Sequence, residues 1–109
     1  MQLSAAYRAT TPMQVAFAGT VTSEPSYFMG AHTHCRHEEF AVRSPAGPVD
    51  VVDNVALAPP VPVHVGDHIE VAGEMVHDPG RPPVVHWTHH DPAHQHPDGF
   101  IRLHGRLYA

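Results

Sequence analysis

Val65-Gly66-Asp67-His68-Ile69-Glu70-Val71-Ala72-Gly73-Glu74-Met75 decides the fold. The Gly-Asp pair is a tight turn, because glycine supplies positive φ and aspartate bonds its own backbone. After it the chain alternates, so Ile69, Val71, Gly73 and Met75 share one face of a long strand with a period of two. Shorter stretches of the same kind surround it. Gln14 to Val21 alternates at Val15, Phe17, Gly19 and Val21, and Glu38 to Arg43 reads as a second strand. Ser44-Pro45-Ala46-Gly47-Pro48 is a turn, from which Val49 to Asp53 pairs back as a third. Asp78-Pro79-Gly80 is a further turn, and Val84 to Thr88 is a fifth strand.

The remaining segments are connections. Ser23 to His34 carries Pro25 and Gly30 and reads as a loop. Pro59-Pro60-Val61-Pro62 excludes a long helix, since proline lacks the donor and clashes with the preceding turn. Gly99 to Tyr108 is a terminal strand or hairpin interrupted at Gly105, and no helical pattern exceeds about two turns. Five short strands, with a Gly-Asp turn entering a long fourth one, give an all-β, OB-like barrel. A small sandwich is the alternative but needs about seven strands. The expected organisation is a single OB-like domain over residues 1–109, with residues 1–13 as an N-terminal arm.

The chain has 109 residues and a formal charge of −5 with histidine neutral. Its six permanent cations are all arginines, Arg8, Arg36, Arg43, Arg81, Arg102 and Arg106, scattered among eleven acidic residues. That is a poor footprint for a phosphate backbone, and few aromatics are present for base stacking. No nucleic-acid partner is expected at neutral pH, though protonated histidines can shift the balance below roughly pH 6.5. One cysteine, Cys35, excludes an internal disulfide. No apolar run is long enough for a membrane helix, and the start lacks the pattern of a secretory signal. A cytoplasmic protein is the direct reading, although a signal-trimmed exported domain would look the same.

Twelve histidines dominate the chemistry. His86-Trp87-Thr88-His89-His90-Asp91-Pro92, followed by His94 and His96, places five histidines and an aspartate within eleven residues. Imidazole and carboxylate suit zinc, nickel, copper or non-haem iron, and imidazole also moves protons near neutrality. A second knot, His32-Thr33-His34-Cys35-Arg36-His37, lies upstream. Within it His32 and His34, with Cys35 or His37, can form another site, but the loop context favours a solvated binder. Cys35 is not expected to be a nucleophile. His64, His68, His77 and His104 are scattered and read as surface or structural residues, and Trp87 is expected in the core.

From Arg36 onward the chain resembles a small bacterial family catalogued as domain of unknown function 3465. The resemblance rests on Arg36-His37-x-x-Phe40, on Asp53-Asn54-Val55-Ala56-Leu57-Ala58-Pro59, and on Val65-Gly66-Asp67 with Gly73-Glu74. It continues through the seven residues from His86 to Pro92, His96, Gly99-Phe100-Ile101, Gly105 and Tyr108. It implies an OB-like fold and no particular activity. Two departures stand out: Asp53 occupies the place of a histidine, and His77-Asp78-Pro79-Gly80 replaces a Trp-Asn turn. If the family's histidine is a ligand, Asp53 must offer oxygen instead.

OB topology makes the second and third strands a hairpin and sets the third parallel to the fifth. His37 then lies near Asp53, and the end of the fifth strand joins them at one barrel mouth. Alternation puts His86 and His89 on opposite faces unless the strand ends or bulges near Thr88. The expected ligand set is His37, Asp53, His86 and His89, with His90 alternating with His89. His90 and Asp91 are the candidate catalytic pair, and Asp91 can instead orient a ligand imidazole. The bland alternative is an Asp91-Pro92 turn with His86 bonded to backbone. A divalent transition metal, zinc foremost, serving a hydrolase or lyase acting on a small molecule is one functional class. A non-catalytic module, either a metal sensor or carrier or an OB-type ligand binder, is the other. No nucleophile elbow, phosphate loop or dinucleotide fingerprint is present.

Overall fold

The computed structural model describes residues 3–31 and 34–109. Its elements are α1 (Leu3–Arg8), β1 (Met13–Val21), β2 (Ser26–Met29), β3 (Arg36–Ser44), β4 (Gly47–Asn54), β5 (His68–Val76), β6 (Val84–His86), β7 (Phe100–Leu103) and β8 (Arg106–Tyr108). Strand β1 pairs antiparallel with β5 from Met13↔Met75 to Thr20↔His68 and joins β3 through Thr20↔Arg43 and Val21↔Val42. The β3–β4 hairpin runs in register from Ser44↔Gly47 to His37↔Asn54. Strand β6 lies parallel to β4 through Asp50↔Val84 and Val51↔Val85, and antiparallel to β5. The cycle β1-β3-β4-β6-β5-β1 is a closed five-stranded barrel with OB connectivity.

Alternation fills the barrel. Val15, Phe17, Val21, Phe40, Val42, Val49, Val51, Ile69, Val71, Met75 and Val85 are all buried, each contributing roughly 1.5–3 kcal/mol relative to exposure. Closure demands two close backbone approaches. At Gly19 an added Cβ would meet Arg43 O and Val42, and at Gly73 it would meet His86 O, Thr88 and Val85. Glycine is therefore required where strands cross closely.

Three strands lie outside the barrel. The β7–β8 hairpin continues the sheet from β5, with Ala72↔Phe100 to Ile69↔Leu103. Its two-residue turn, His104-Gly105, has φ of 52° and 79°, the doubly positive pattern that favours Gly at the second position. Strand β2 falls in the stretch read above as a loop. All four of its residues are exposed, so no buried face imposes an alternating pattern. It borrows the free edge of β3, from Ser26↔Glu39 to Met29↔Arg36.

The arm is also more ordered than its composition suggests. Within it α1 caps the barrel end nearest the β3–β4 turn, burying Ala6 and packing Leu3 and Tyr7 on the core. Tyr7 donates to Pro48 O (3.1 Å), and His77 Nε2 donates to Ala6 O (3.0 Å). His77 is thus a structural residue, as expected.

Gly73→Ala should destabilise the barrel by at least about 2 kcal/mol, because the new methyl meets backbone that cannot yield. Urea unfolding measures this. A loss below 0.5 kcal/mol would mean that β5 and β6 are not held this close, an estimate that uses the ordinary surface-mutation range of about 0.5 kcal/mol.

Candidate functional site

The cleft lies on the outer wall of β3, β4 and β6, at the end opposite α1. It has a volume of about 410 Å³ and is lined by His37, Val52, Asn54 and Leu57 on one side. Residues of the β6–β7 loop, among them Trp87, His89, Asp91 and His96, form the other side together with His86. The loop reaches this position because β6 ends at His86 and Trp87 adopts φ 53°. A positive φ on a bulky residue costs about 1–2 kcal/mol. The reversal breaks the alternation, so His86 and His89 both line the cleft, as the sequence required of a strand ending before Thr88.

Trp87 is not a core residue. It is 38% exposed and sandwiched between two imidazoles, with His86 stacked at 4.7 Å and His96 at 4.0 Å between ring centroids. The neck of the loop is closed by Gly99 N–H donating to His89 O (2.8 Å), and Thr88 Oγ1 donates to Val52 O (3.0 Å). Asp91 organises the bend. Its Oδ1 accepts from Ala93 N, and its Oδ2 accepts from Gln95 N (2.6 Å) and His96 N (2.9 Å). Burial alone would lift its carboxyl, but these three donors and His96 hold it below the usual range. Asp91 thus positions the loop and His96, and its oxygens are largely committed.

Three cleft histidines share one arrangement. His37 Nδ1 donates to Cys35 O (3.0 Å), His89 Nδ1 to His90 O (2.8 Å), and His96 Nδ1 to Pro97 O (3.2 Å). A carbonyl only accepts, so each neutral ring carries its proton on Nδ1 and keeps a lone pair on Nε2. His89 is only 3% exposed, and its ring centroid lies 6.1 Å from that of His96. His96 Nε2 lies 3.5 Å from Asp91 Oδ2.

The other expected site residues are placed differently. His86 Nε2 pairs with Glu74 Oε1 at 2.9 Å, so that nitrogen is occupied. His90 does not line the cleft; it is exposed and pairs with Asp98 at 2.9 Å. Asp53 neighbours His37 along the hairpin but points the other way, because the register is Glu38↔Asp53 and His37↔Asn54. Its side chain joins the barrel interior and is fully buried. Among the described residues no group of three or more His, Cys, Asp or Glu side chains lies close enough to hold a metal ion. The four expected ligands therefore do not meet. His32 of the upstream knot lies outside the described residues, and His34 and Cys35 do not line the cleft. Sequence reasoning passed over His96 as a partner of His89, and Asn54 and Leu57 as cleft residues. Asn54 had a signal, since it flanks Asp53 on the opposite face of the same strand.

The chain matches the family model described as Protein of unknown function (DUF3465) over residues 2–109. It belongs to that family. No curated protein and no solved structure matches it. The expected membership and OB-like barrel thus both hold for this DUF3465 chain, and no helix among its described residues is long and apolar enough to cross a membrane.

Asp53 has a further property. Neither of its oxygens has a hydrogen-bond partner among the described residues, because the nearby Thr88 hydroxyl donates to Val52 O. Glu38 beside it is satisfied by Val61 N (2.8 Å) and Tyr27 Oη (3.0 Å). Burial, and then the Glu38 charge, push the Asp53 carboxyl up to about 7 against a smaller opposing pull from the nearby Thr88 hydroxyl, whose hydrogen-bond geometry favours Val52 O. The folded chain therefore binds a proton that the unfolded chain releases above about pH 4, and stability falls as pH rises from there to about 7. Asp53→Asn removes this penalty. It should raise the unfolding free energy from urea titration at pH 8 by a few kcal/mol, roughly 1.4 kcal/mol for each pH unit by which the carboxyl is raised, and change it much less at pH 5. A gain of equal size at both pH values would show that Asp53 carries no such penalty.

Proposed function

We propose that the cleft binds a divalent transition metal, zinc foremost, through Nε2 of His89 and His96. The observation that carries this reading is the Nδ1-to-carbonyl bond on each ring, the arrangement that fixes tautomer and orientation in ligating histidines. A centroid separation of 6.1 Å is within the reach of one ion bound at about 2.0–2.1 Å by each nitrogen. An ion with only two protein ligands keeps positions for water and substrate. It would supply Lewis acidity and activation of water at neutral pH, while His37, with a free Nε2 across the cleft, would take up or return the proton. Hydrolysis or a lyase-type proton transfer on a small molecule suits this equipment.

A second reading is favoured by the absence of a third converging donor among the described residues. On that reading the cleft is a non-catalytic module, either a metal carrier or an OB-type ligand site. The two readings separate on turnover, not on binding.

Calorimetric titration of metal-free, tag-free protein with zinc, nickel and copper tests the shared step. One site per chain is expected, weakened by His89→Ala/His96→Ala by more than about tenfold, the cost of losing a ligand's supporting partner alone. The exposed pair His64→Ala/His104→Ala serves as control for incidental binding. Equal affinity of the cleft variant and the control would remove the assignment.

The arginines also bear on partners. Arg81 lies between Glu39 (3.2 Å) and Asp50 (3.1 Å), and Arg102 lies on Glu70 (2.8 Å). With these cations paired to carboxylates, labelled single-stranded DNA or RNA should show no binding by anisotropy at pH 7.5 and physiological salt. Tight, salt-resistant binding would instead favour a nucleic-acid OB module.

A further inference from the structure

The wall of the cleft opposite the histidine loop carries a hydrogen-bonding pattern of its own. His37 and Asn54 are direct cross-strand partners on the outer face of β3 and β4, and such residues stand about 4.5–5.5 Å apart at Cβ. Each is locked by its own local backbone. His37 spends Nδ1–H on Cys35 O, which leaves Nε2 as an acceptor. Asn54 spends Oδ1 on Ala56 N (3.0 Å), which leaves its NH₂ as a donor. An acceptor and a donor therefore sit side by side, fixed in sense.

The rest of the lining limits what can fill the space. Val52, Leu57, Pro92 and Ala93 contribute apolar surface. Both faces of the Trp87 indole are already covered by imidazoles, so a ligand ring cannot stack there. None of the six arginines lines the cleft, and the chain has no lysine. The one carboxylate in the lining, Asp91, adds negative charge. An anionic ligand would lose its hydration without gaining a permanent cation.

We infer that the cleft takes an uncharged small molecule with an apolar body and an amide-like head, whose N–H bonds His37 Nε2 and whose carbonyl accepts from Asn54. With no ion in the cleft, phosphate esters and carboxylates are excluded at neutral and higher pH. A volume of about 410 Å³ lies at the small end of ligand pockets. Such a ligand requires the cleft of the preceding section to be the functional site, but it does not require the ion.

Benzamide and benzoate test this, because they share a shape and differ in charge; phenyl phosphate is the third probe. Trp87 is the sole tryptophan, so its emission reports the cleft in EDTA-treated protein at pH 8. Benzamide should bind at least about tenfold more tightly than either anion, the scale set by one unmet polar contact. Asn54→Asp keeps the oxygen that caps Ala56 but removes the donor, and should weaken benzamide by about tenfold with an unchanged circular dichroism spectrum. Leu57→Arg, at a position 48% exposed and so free to vary, should reverse the preference toward benzoate. Benzoate or phenyl phosphate binding as tightly as benzamide to the wild type would overturn the assignment. So would three probes that change neither Trp87 emission nor the His37 ring resonances. Zinc titration of the same protein without probe reads the ion site separately, so failure of one claim does not hide in the other.

Discussion

Strand β5 offers a single edge to two successive partners, and the handover between them shapes everything that faces the cleft. Strand β6 pairs with Val76, Met75 and Glu74, and β7 then pairs from Ala72 to Ile69. The thirteen residues from Trp87 to Gly99 must leave the sheet and return within one residue of where they left, at Gly73. An added Cβ at Gly99 would meet Trp87 O, Ala72 O and the Thr88 backbone, so the neck admits only glycine. The excursion cannot lie flat along β5, whose edge is occupied on both sides of the gap. It folds over the outer face of β3 and β4, bringing the histidine motif onto His37 and Asn54. The positive φ of Trp87 is one cost of that route, and the stacks on both its faces help to offset it.

The same hairpin carries two unlike chemistries on its two faces. Inward, Glu38 and Asp53 bury two carboxyls side by side, one satisfied and one orphaned. Outward, their neighbours His37 and Asn54 form the wall of the cleft. Satisfying Glu38 uses Tyr27 from β2 and the backbone of Val61, so this acid ties an exposed edge strand and the proline-rich connection to the barrel end. Phe28 stacks on His37 at 5.4 Å, tying β2 to the cleft as well. Burial of an acid is unfavourable in isolation. Here it helps to fix an edge strand whose residues are all exposed, and it adds a polar tie to a connection already held by buried Val61 and Val63.

Period-two alternation made the barrel legible in the sequence, and the Gly-Asp turn fixed the start of its longest strand. The parallel third and fifth strands followed from OB topology and correctly brought His37, His86 and His89 to one region. Alternation failed where side chains are not half-buried. Ser26–Met29 buries no face, and α1 is too short for a helical repeat to show. Asp53 was misplaced by proximity: nearness along a hairpin says nothing about which face a residue takes, and a one-residue offset reverses it. Asp53 aligns with the buried Val49 and Val51 by simple parity, so the pattern was present but was outweighed by the likeness of its segment to a histidine-bearing one. The fate of His96 was not legible, because it depends on how the loop folds back on Trp87.

The partners of the histidines sort them by role. His37, His89 and His96 donate Nδ1–H to carbonyls one or two residues away. Their orientation is set locally and survives small movements of the barrel, while Nε2 stays unprotonated in the neutral ring. His86 and His90 instead meet carboxylates, Glu74 and Asp98. In these two rings the nitrogen that pairs with a carboxylate is occupied and does not face the cleft as an open lone pair. The motif thus mixes rings anchored on backbone carbonyls with rings anchored on carboxylates, and His96 has both, with Nδ1 on Pro97 O and Nε2 3.5 Å from Asp91 Oδ2. The rings anchored through Nδ1 on carbonyls are the ones that turn Nε2 toward the cleft residues, so the roles of the histidines are written in the acceptor each Nδ1 or Nε2 has found, not in the number of histidines.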